Sequence, residues 1–177
     1  VIDCNIHDNL AVYDGNGDDW NVYGGGLYVA QNEGKIQNNS ITHNSAARGG
    51  GLYLQSGSTI TKCIISNNTS RNNGGGVFVS GSDALFRQCL ISNNVAGERG
   101  GGVYDNSSTF LSCNIVRNSA VNDGGGVHTY SGSEIKNSVI WGNKVGATDN
   151  QLSYSYDNRY RVVSSAIQGG YSGAVAL

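Results

Sequence analysis

Oxygen ligands crowd into one short stretch of the chain, where Asp14, Asn16, Asp18 and Asp19 lie along Asp14-Gly-Asn16-Gly-Asp18-Asp19-Trp20. Carboxylate and amide oxygens on a glycine-rich loop are what Ca²⁺ takes. These four residues are therefore the candidate calcium ligands, and Ca²⁺ is the one cofactor the sequence suggests. Glycine at the sixth loop position and glutamate at the twelfth are both missing, which leaves a solvated loop as the alternative. A second chemistry belongs to five rings, Tyr28, Tyr53, Phe78, Tyr104 and His128, which recur at nearly constant spacing. Exposed aromatic faces can stack on sugar rings or dock a partner surface.

The remaining reactive side chains are harder to assemble. Cys4, Cys63, Cys89 and Cys113 hold equivalent places beside a recurring isoleucine. Neighbouring copies would sit within disulfide reach, but parallel side-chain directions disfavour the required dihedral. Reduced, buried, inert thiols are the expectation, with one bridge as the alternative. His7 and His43 precede an asparagine by two and one residues, without a third ligand in phase, and His128 lies on another face. Glycoside hydrolysis would need two carboxylates on one face at compatible distance. Glu33, Asp83, Glu98, Asp105, Asp123 and Glu134 fall at differing phases instead. Asp105 stands where Val29, Leu54 and Val79 stand in other copies, a nominally inward position that marks either the strand end or a buried polar contact, with Thr129 of the next coil as a candidate partner.

All these positions are set by a repeat. Gly-Gly-Gly occurs at 24–26, 49–51, 74–76, 100–102 and 124–126, at spacings of 25, 25, 26 and 24. Each triplet is followed by Leu or Val and then by one of the five rings. Ahead of the triplets, Ile6, Ile41, Ile65, Ile91, Ile115 and Ile140 recur, each followed three residues later by Asn9, Asn44, Asn68, Asn94, Asn118 or Asn143. Apolar residues alternate with period 2 and never with the 3.6 period of a helix, which is a strand signal. A short repeat of this kind stacks its copies so that like residues form vertical ladders. The sequence therefore predicts an all-β fold, a right-handed single-stranded parallel β-helix of six to seven coils of ~25 residues, each coil holding two or three short strands at the ~4.8 Å strand spacing. The isoleucines form an inner column. The asparagines form a turn ladder whose amides bond the coils above and below, with the left-handed conformation that Asn tolerates. If Leu27 and Val29 point inward, Tyr28 and its equivalents point outward as an exposed strip.

Residues 1–145 are expected to be repeat coils with an insertion at 12–22, since Asn9 is fifteen residues from its triplet where other coils need five or six. Residues 146–177, with Tyr154, Tyr156 and Tyr160, are expected to be a divergent final coil or cap. Val1 opens inside a repeat, so the chain is read as a piece of a longer protein. Twenty-seven glycines, no proline and 14% charged residues suit internal parallel strands. A net charge of −2 without a basic block removes the electrostatic case for nucleic acid. No apolar run approaches the ~20 residues of a membrane helix. Asn38, Asn67 and Asn106 match a glycosylation pattern that matters only in a eukaryotic source.

The unit C-x-I-x-x-N…G-G-G-[VL]-[YF] resembles the right-handed β-helix repeats of bacterial surface and secreted proteins, including the polymorphic outer-membrane protein group. Ser138-Val-Ile-Trp-Gly-Asn143 and Ser165-Ala-Ile-Gln-Gly-Gly170 extend the resemblance into the tail. It implies an extracellular or cell-surface protein of a group that mixes adhesins and carbohydrate-active enzymes. The even, low-charge repeat, the outward aromatic strip and the absence of a converging polar cluster point to a non-catalytic structural or binding module, adhesin-like, with a polysaccharide or surface partner. A polysaccharide lyase or glycoside hydrolase on the same fold, and a fibre- or stalk-forming segment that associates end to end, are the alternatives.

Overall fold

The computed structural model describes residues 1–12, 21–30, 34–155 and 160–170. Within them the chain winds as a parallel β-solenoid whose coils carry four strand segments, more than the two or three expected. One sheet has seven strands, Asn5–His7, Ser40–Thr42, Ile64–Ser66, Leu90–Ser92, Asn114–Val116, Val139–Trp141 and Ala166–Ile167. A second holds two-residue strands such as Ser45–Ala46, Thr69–Ser70 and Val95–Ala96. A third runs from Leu27–Val29 through Leu52–Leu54, Val77–Val79, Val103–Asp105 and Val127–Thr129 to Leu152–Tyr154. The fourth includes Lys35–Gln37, Thr59–Thr61, Ser82–Arg87, Ser107–Leu111, Glu134–Lys136 and Arg161–Val163.

Register is in phase from coil to coil, because slipping by one residue would turn the apolar set outward. Ile6, Ile41, Ile65, Ile91, Ile115 and Ile140 pair in sequence, and Ile167 extends the column. Opposite them runs Ile36, Ile60, Phe86, Phe110, Ile135 and Val162, with Phe86 and Phe110 stacked at 5.0 Å. Ile41, Ile60, Ile65, Phe86, Ile91, Phe110 and Ile115 are fully buried, each contributing about 1.5–3 kcal/mol.

The corners follow from hydrogen-bond needs. From Asn9 to Asn118, each asparagine of the ladder bonds the next one's Oδ1 through both its backbone nitrogen and its Nδ2, as Asn68 does with Asn94 at 2.9 and 3.1 Å. Nδ2 also donates to a carbonyl of the coil before, Ile41 O for Asn68. The left-handed conformation, however, belongs to the residue before the asparagine, namely Asp8, His43, Asn67, Asn93, Arg117 and Gly142. Turning there aims the asparagine inward while its own backbone continues into the next strand.

The glycine triplet divides its work. Gly49 has φ +63°, a Cβ on Gly50 would meet Thr69 O at 2.3 Å, and one on Gly51 would meet Asn68 Nδ2 at 2.8 Å. The described residues after 145 continue the winding. A short antiparallel hairpin pairs Lys144–Val145 with Thr148–Asp149, and the strands at Leu152–Tyr154, Arg161–Val163 and Ala166–Ile167 add a further coil. Buried Tyr160 donates its hydroxyl to Val127 O and Ser153 O.

Candidate binding groove

Inward Leu52, Leu54, Val77 and Val79 flank Tyr53 and Phe78, so strand alternation does send the rings out from the third sheet. They form one continuous stack. Centroids are 5.2 Å apart for Tyr28–Tyr53 and for Tyr53–Phe78, 4.8 Å for Phe78–Tyr104 and 5.1 Å for Tyr104–His128. The expected exposed strip is corrected by that stack. Only Tyr28 is exposed, at 45%, while Tyr53, Phe78 and His128 fall to 7%, 6% and 1%. The ring spacing is the coil spacing, so each ring covers its neighbours' faces and only edges and hydroxyls are left. The first glycine of each triplet lets the rings lie down, since a Cβ on Gly74 would meet Phe78 Cβ at 2.9 Å.

These edges floor a groove of about 290 Å³. Tyr53, Phe78 and Tyr104 make the floor, Arg48 one bank, and Ser80, Asn106 and Tyr130 the other. The volume lies near the lower end of the roughly 300–1,000 Å³ of ligand pockets. The Arg48 guanidinium carbon sits 5.7 Å from the Phe78 centroid and 6.0 Å from that of Tyr23, a cation–π arrangement. Tyr23 itself packs on Tyr53 at 4.6 Å and extends the stack. Burial raises the Tyr53 and Tyr104 hydroxyls above the usual phenol range, with Arg99 and Arg48 pulling Tyr104 partly back. Both phenols are therefore protonated donors at neutral pH. The groove offers ring edges, hydroxyls, an amide and one cation, which is equipment for holding a polar, partly flat ligand.

His128 closes the ladder in a different way. Its Nδ1 and Nε2 lie 2.7 and 2.8 Å from the Ser153 and Ser155 hydroxyls. Burial drives its pKa down to about 4, against the upward pull of Asp123. This histidine is neutral and structural in its contacts.

The other candidate residues separate. Cys63, Cys89 and Cys113 are buried and unbridged, and Cys4 is exposed. The thiols serve as turn donors. Cys89 Sγ reaches Ile60 O and Arg87 O, each at 3.4 Å, just as Ser138 Oγ reaches Phe110 O and Lys136 O. His7 bonds Asp8 at 2.7 Å and is in register with Thr42, not with His43. Asp105 is fully buried, accepts from Ser133 Oγ at 2.7 Å and pairs with Thr129 in register. Glu134 is held by Lys136 and Arg161. Asp14, Asn16, Asp18 and Asp19, together with Glu33 and Tyr156, lie outside the described residues. Among the described residues no group of three or more His, Cys, Asp or Glu side chains is placed to hold a metal ion.

Arg48 and Tyr130 were not legible as site residues, because they come from different coil positions and carry no periodic mark. Trp141, 52% exposed on the outer face of the first sheet, was visible only as part of a motif.

Comparison with known proteins agrees with this architecture. A family model described as a right handed beta helix region matches residues 1–166. No curated protein and no solved structure matches the chain.

Proposed function

The chain belongs to the right-handed β-helix family, and from that premise we propose that it is a non-catalytic structural and binding module of the cell surface or extracellular space. Its ligand, a polysaccharide or a surface partner, lies along the groove on the aromatic stack. The observation that carries the reading is the juxtaposition of Arg48 and Tyr130 across the Tyr53–Phe78–Tyr104 edges. Ring edges with polar banks favour a ligand that hydrogen-bonds along its length over one that stacks face-on. The placement outside the cell, and any adhesin role, rest on the likeness of the repeat to bacterial surface proteins of the polymorphic outer-membrane group.

A non-catalytic role is supported by three of the six candidate carboxylates. Asp105 is enclosed in the core, Glu134 is ion-paired, and the Asp123 carboxylate accepts from the Gly124 backbone nitrogen.

The test is a broad glycan array with purified chain, with and without Ca²⁺, repeated for Arg48→Gln and Tyr130→Ala. Binding that both substitutions weaken, at a melting temperature close to that of the parent, is the expected result. Loss of binding on chelation alone assigns Ca²⁺ to the Asp14, Asn16, Asp18 and Asp19 loop. Binding indifferent to Arg48 and Tyr130 removes the groove, and release of cleaved glycan overturns the non-catalytic reading.

A further inference from the structure

A larger cleft opens at the corner between the third and fourth sheets. It encloses about 740 Å³ and is lined by Lys35, Ser56, Ser58, Thr59, Ser82 and Asp83, together with Gly57 and Gly81. Three features separate it from an ordinary hydrated turn.

The first is a bulge. The pairing of Ser82–Arg87 with Ser107–Leu111 shifts between Ser82 and Ala84, so Asp83 is an extra residue outside the ladder, with φ +64°. Bulges of this kind re-aim a side chain and gather next to binding sites. Here the bulge brings a carboxylate to the cleft and sets Ser82 Oγ against it at 2.9 Å. The second is a pair of hydroxyls. Ser58 is 3% exposed, and neither its Oγ nor that of Ser56 has a hydrogen-bond partner in the protein. Buried Ser70 and Ser108 also lack a hydroxyl partner, so what marks Ser58 and Ser56 is that their hydroxyls line a cleft, where a ligand can satisfy them. Gly34 and Ala84 fill the equivalent places in the neighbouring coils, where Lys35, Thr59 and Leu85 are in register. The third is the chemistry of the wall, where the described residues supply hydroxyls, backbone, one cation and one anion and no aromatic or branched aliphatic side chain.

We propose that this corner cleft is a second binding site, separate from the aromatic groove, for a small neutral hydroxyl-rich molecule such as a monosaccharide or cyclic polyol. Neutrality rests on Lys35 and Asp83, the charged residues of the wall among the described residues, whose opposite signs favour neither a net anion nor a net cation. The hydroxyl-rich character follows from the wall. Asp83 accepts from ligand hydroxyls, Lys35 and Thr59 donate, and a rotation about χ1 turns the Ser58 and Ser56 hydroxyls toward the ligand.

The experiment is a titration of isotope-labelled chain with D-glucose and with myo-inositol, followed by backbone amide shifts. D-glucuronate and D-glucosamine serve as charged controls. Shifts are expected at Lys35, Ser56 to Thr59 and Gly81 to Asp83, with the neutral probes binding more tightly. Asp83→Asn, whose side chain tolerates the same positive φ, weakens binding about tenfold, as loss of a charge-assisted acceptor should. Ser58→Ala raises the melting temperature of the free protein and yet weakens binding, a split that a purely structural serine would not produce. Absence of shifts at saturating probe, tighter binding of either charged control, shifts confined to the aromatic groove, or affinity unchanged by Asp83→Asn would each overturn the proposal.

Discussion

The carboxamide of Asn143 donates to Oε1 of Gln151 at 2.8 Å, and the Asn143 backbone nitrogen reaches the same oxygen at 3.2 Å. Each earlier asparagine makes that two-bond arrangement with the next, so a glutamine brought in by the hairpin ends the asparagine ladder without leaving it open. The middle and the end of the ladder should differ in cost. Asn94 donates to Ile65 O and Asn118 Oδ1 and accepts twice from Asn68. Asn94→Ala orphans several buried groups and is expected to cost about 3–5 kcal/mol. Gln151→Ala, at the last rung, should cost about 1–2 kcal/mol. Urea unfolding of the two variants decides it, and equal costs would show that the ladder does not act as a connected network.

The thiol column leads to a different expectation, because serine already performs its task at Ser138 and Ser165. Cys89→Ser keeps a donor for Arg87 O and Ile60 O and should change stability by less than about 1 kcal/mol. Cys89→Val leaves both carbonyls without that donor and should cost more. The neighbouring Cys113 thiol and burial together push Cys89 up to about 12, where a thiol is a poor nucleophile. Titration with an aromatic disulfide should find one fast thiol, exposed Cys4, and three that react only on unfolding. Four equally fast thiols would contradict the buried column.

Much of the architecture was legible because a solenoid repeats its packing problem every coil. Ile65 and Ile91 share one environment, as do Asn68 and Asn94, so the same residue solves each case and the period is visible. Features that depend on neighbours across coils were not legible. Alternation says that Phe78 points out, but only the 5 Å stacking on Tyr53 and Tyr104 decides that it is buried. The left-handed position accepts Asp8, His43, Asn67 and Arg117 alike, since it demands an exposed turn and no particular side chain. Asp105 was visible as an oddity, a strand end or a buried polar contact, with Thr129, its register neighbour, as a candidate partner. Ser133, which holds its carboxylate, lies at another phase of the next coil and left no signal.

The glycines give a test that separates backbone strain from collision. Gly101 and Gly146 both stand at turns, yet a Cβ on Gly101 would lie 2.3 Å from Ser119 O and 2.4 Å from Gly125 O, whereas around Gly146, at φ +58°, nothing lies within 4 Å. Gly146→Ala should cost only the left-handed penalty, about 1–2 kcal/mol. Gly101→Ala forces two coils apart and should cost more than about 4 kcal/mol or prevent folding. Thermal melts of the two proteins compare them directly, and a tolerated Gly101→Ala would mean that the coils are less closely stacked than described.

Asp105 and His128 lie on adjacent coils and should oppose one another as pH changes. Burial pushes the Asp105 carboxyl up to about 6, although the Ser133, Ser108 and Thr129 hydroxyls pull it down. Its raised value stabilises the fold below pH 3.8, a contribution lost as pH rises through about 6. Burial lowers His128 from 6.5 to about 4, so its contribution is present above pH 6.5 and lost as pH falls toward 4. Between pH 4 and 6 the two slopes have opposite signs, each at most about 1.4 kcal/mol per pH unit, and the parent protein should be nearly flat. Asp105→Val restores the residue type of Val79, leaves His128 alone, and should make melting temperature fall on acidification. His128→Phe keeps the stack on Tyr104 and leaves Asp105, so melting temperature should rise on acidification. Melting curves of the three proteins across this range carry the test. Slopes of the same sign in both variants would show that the two buried groups do not compensate.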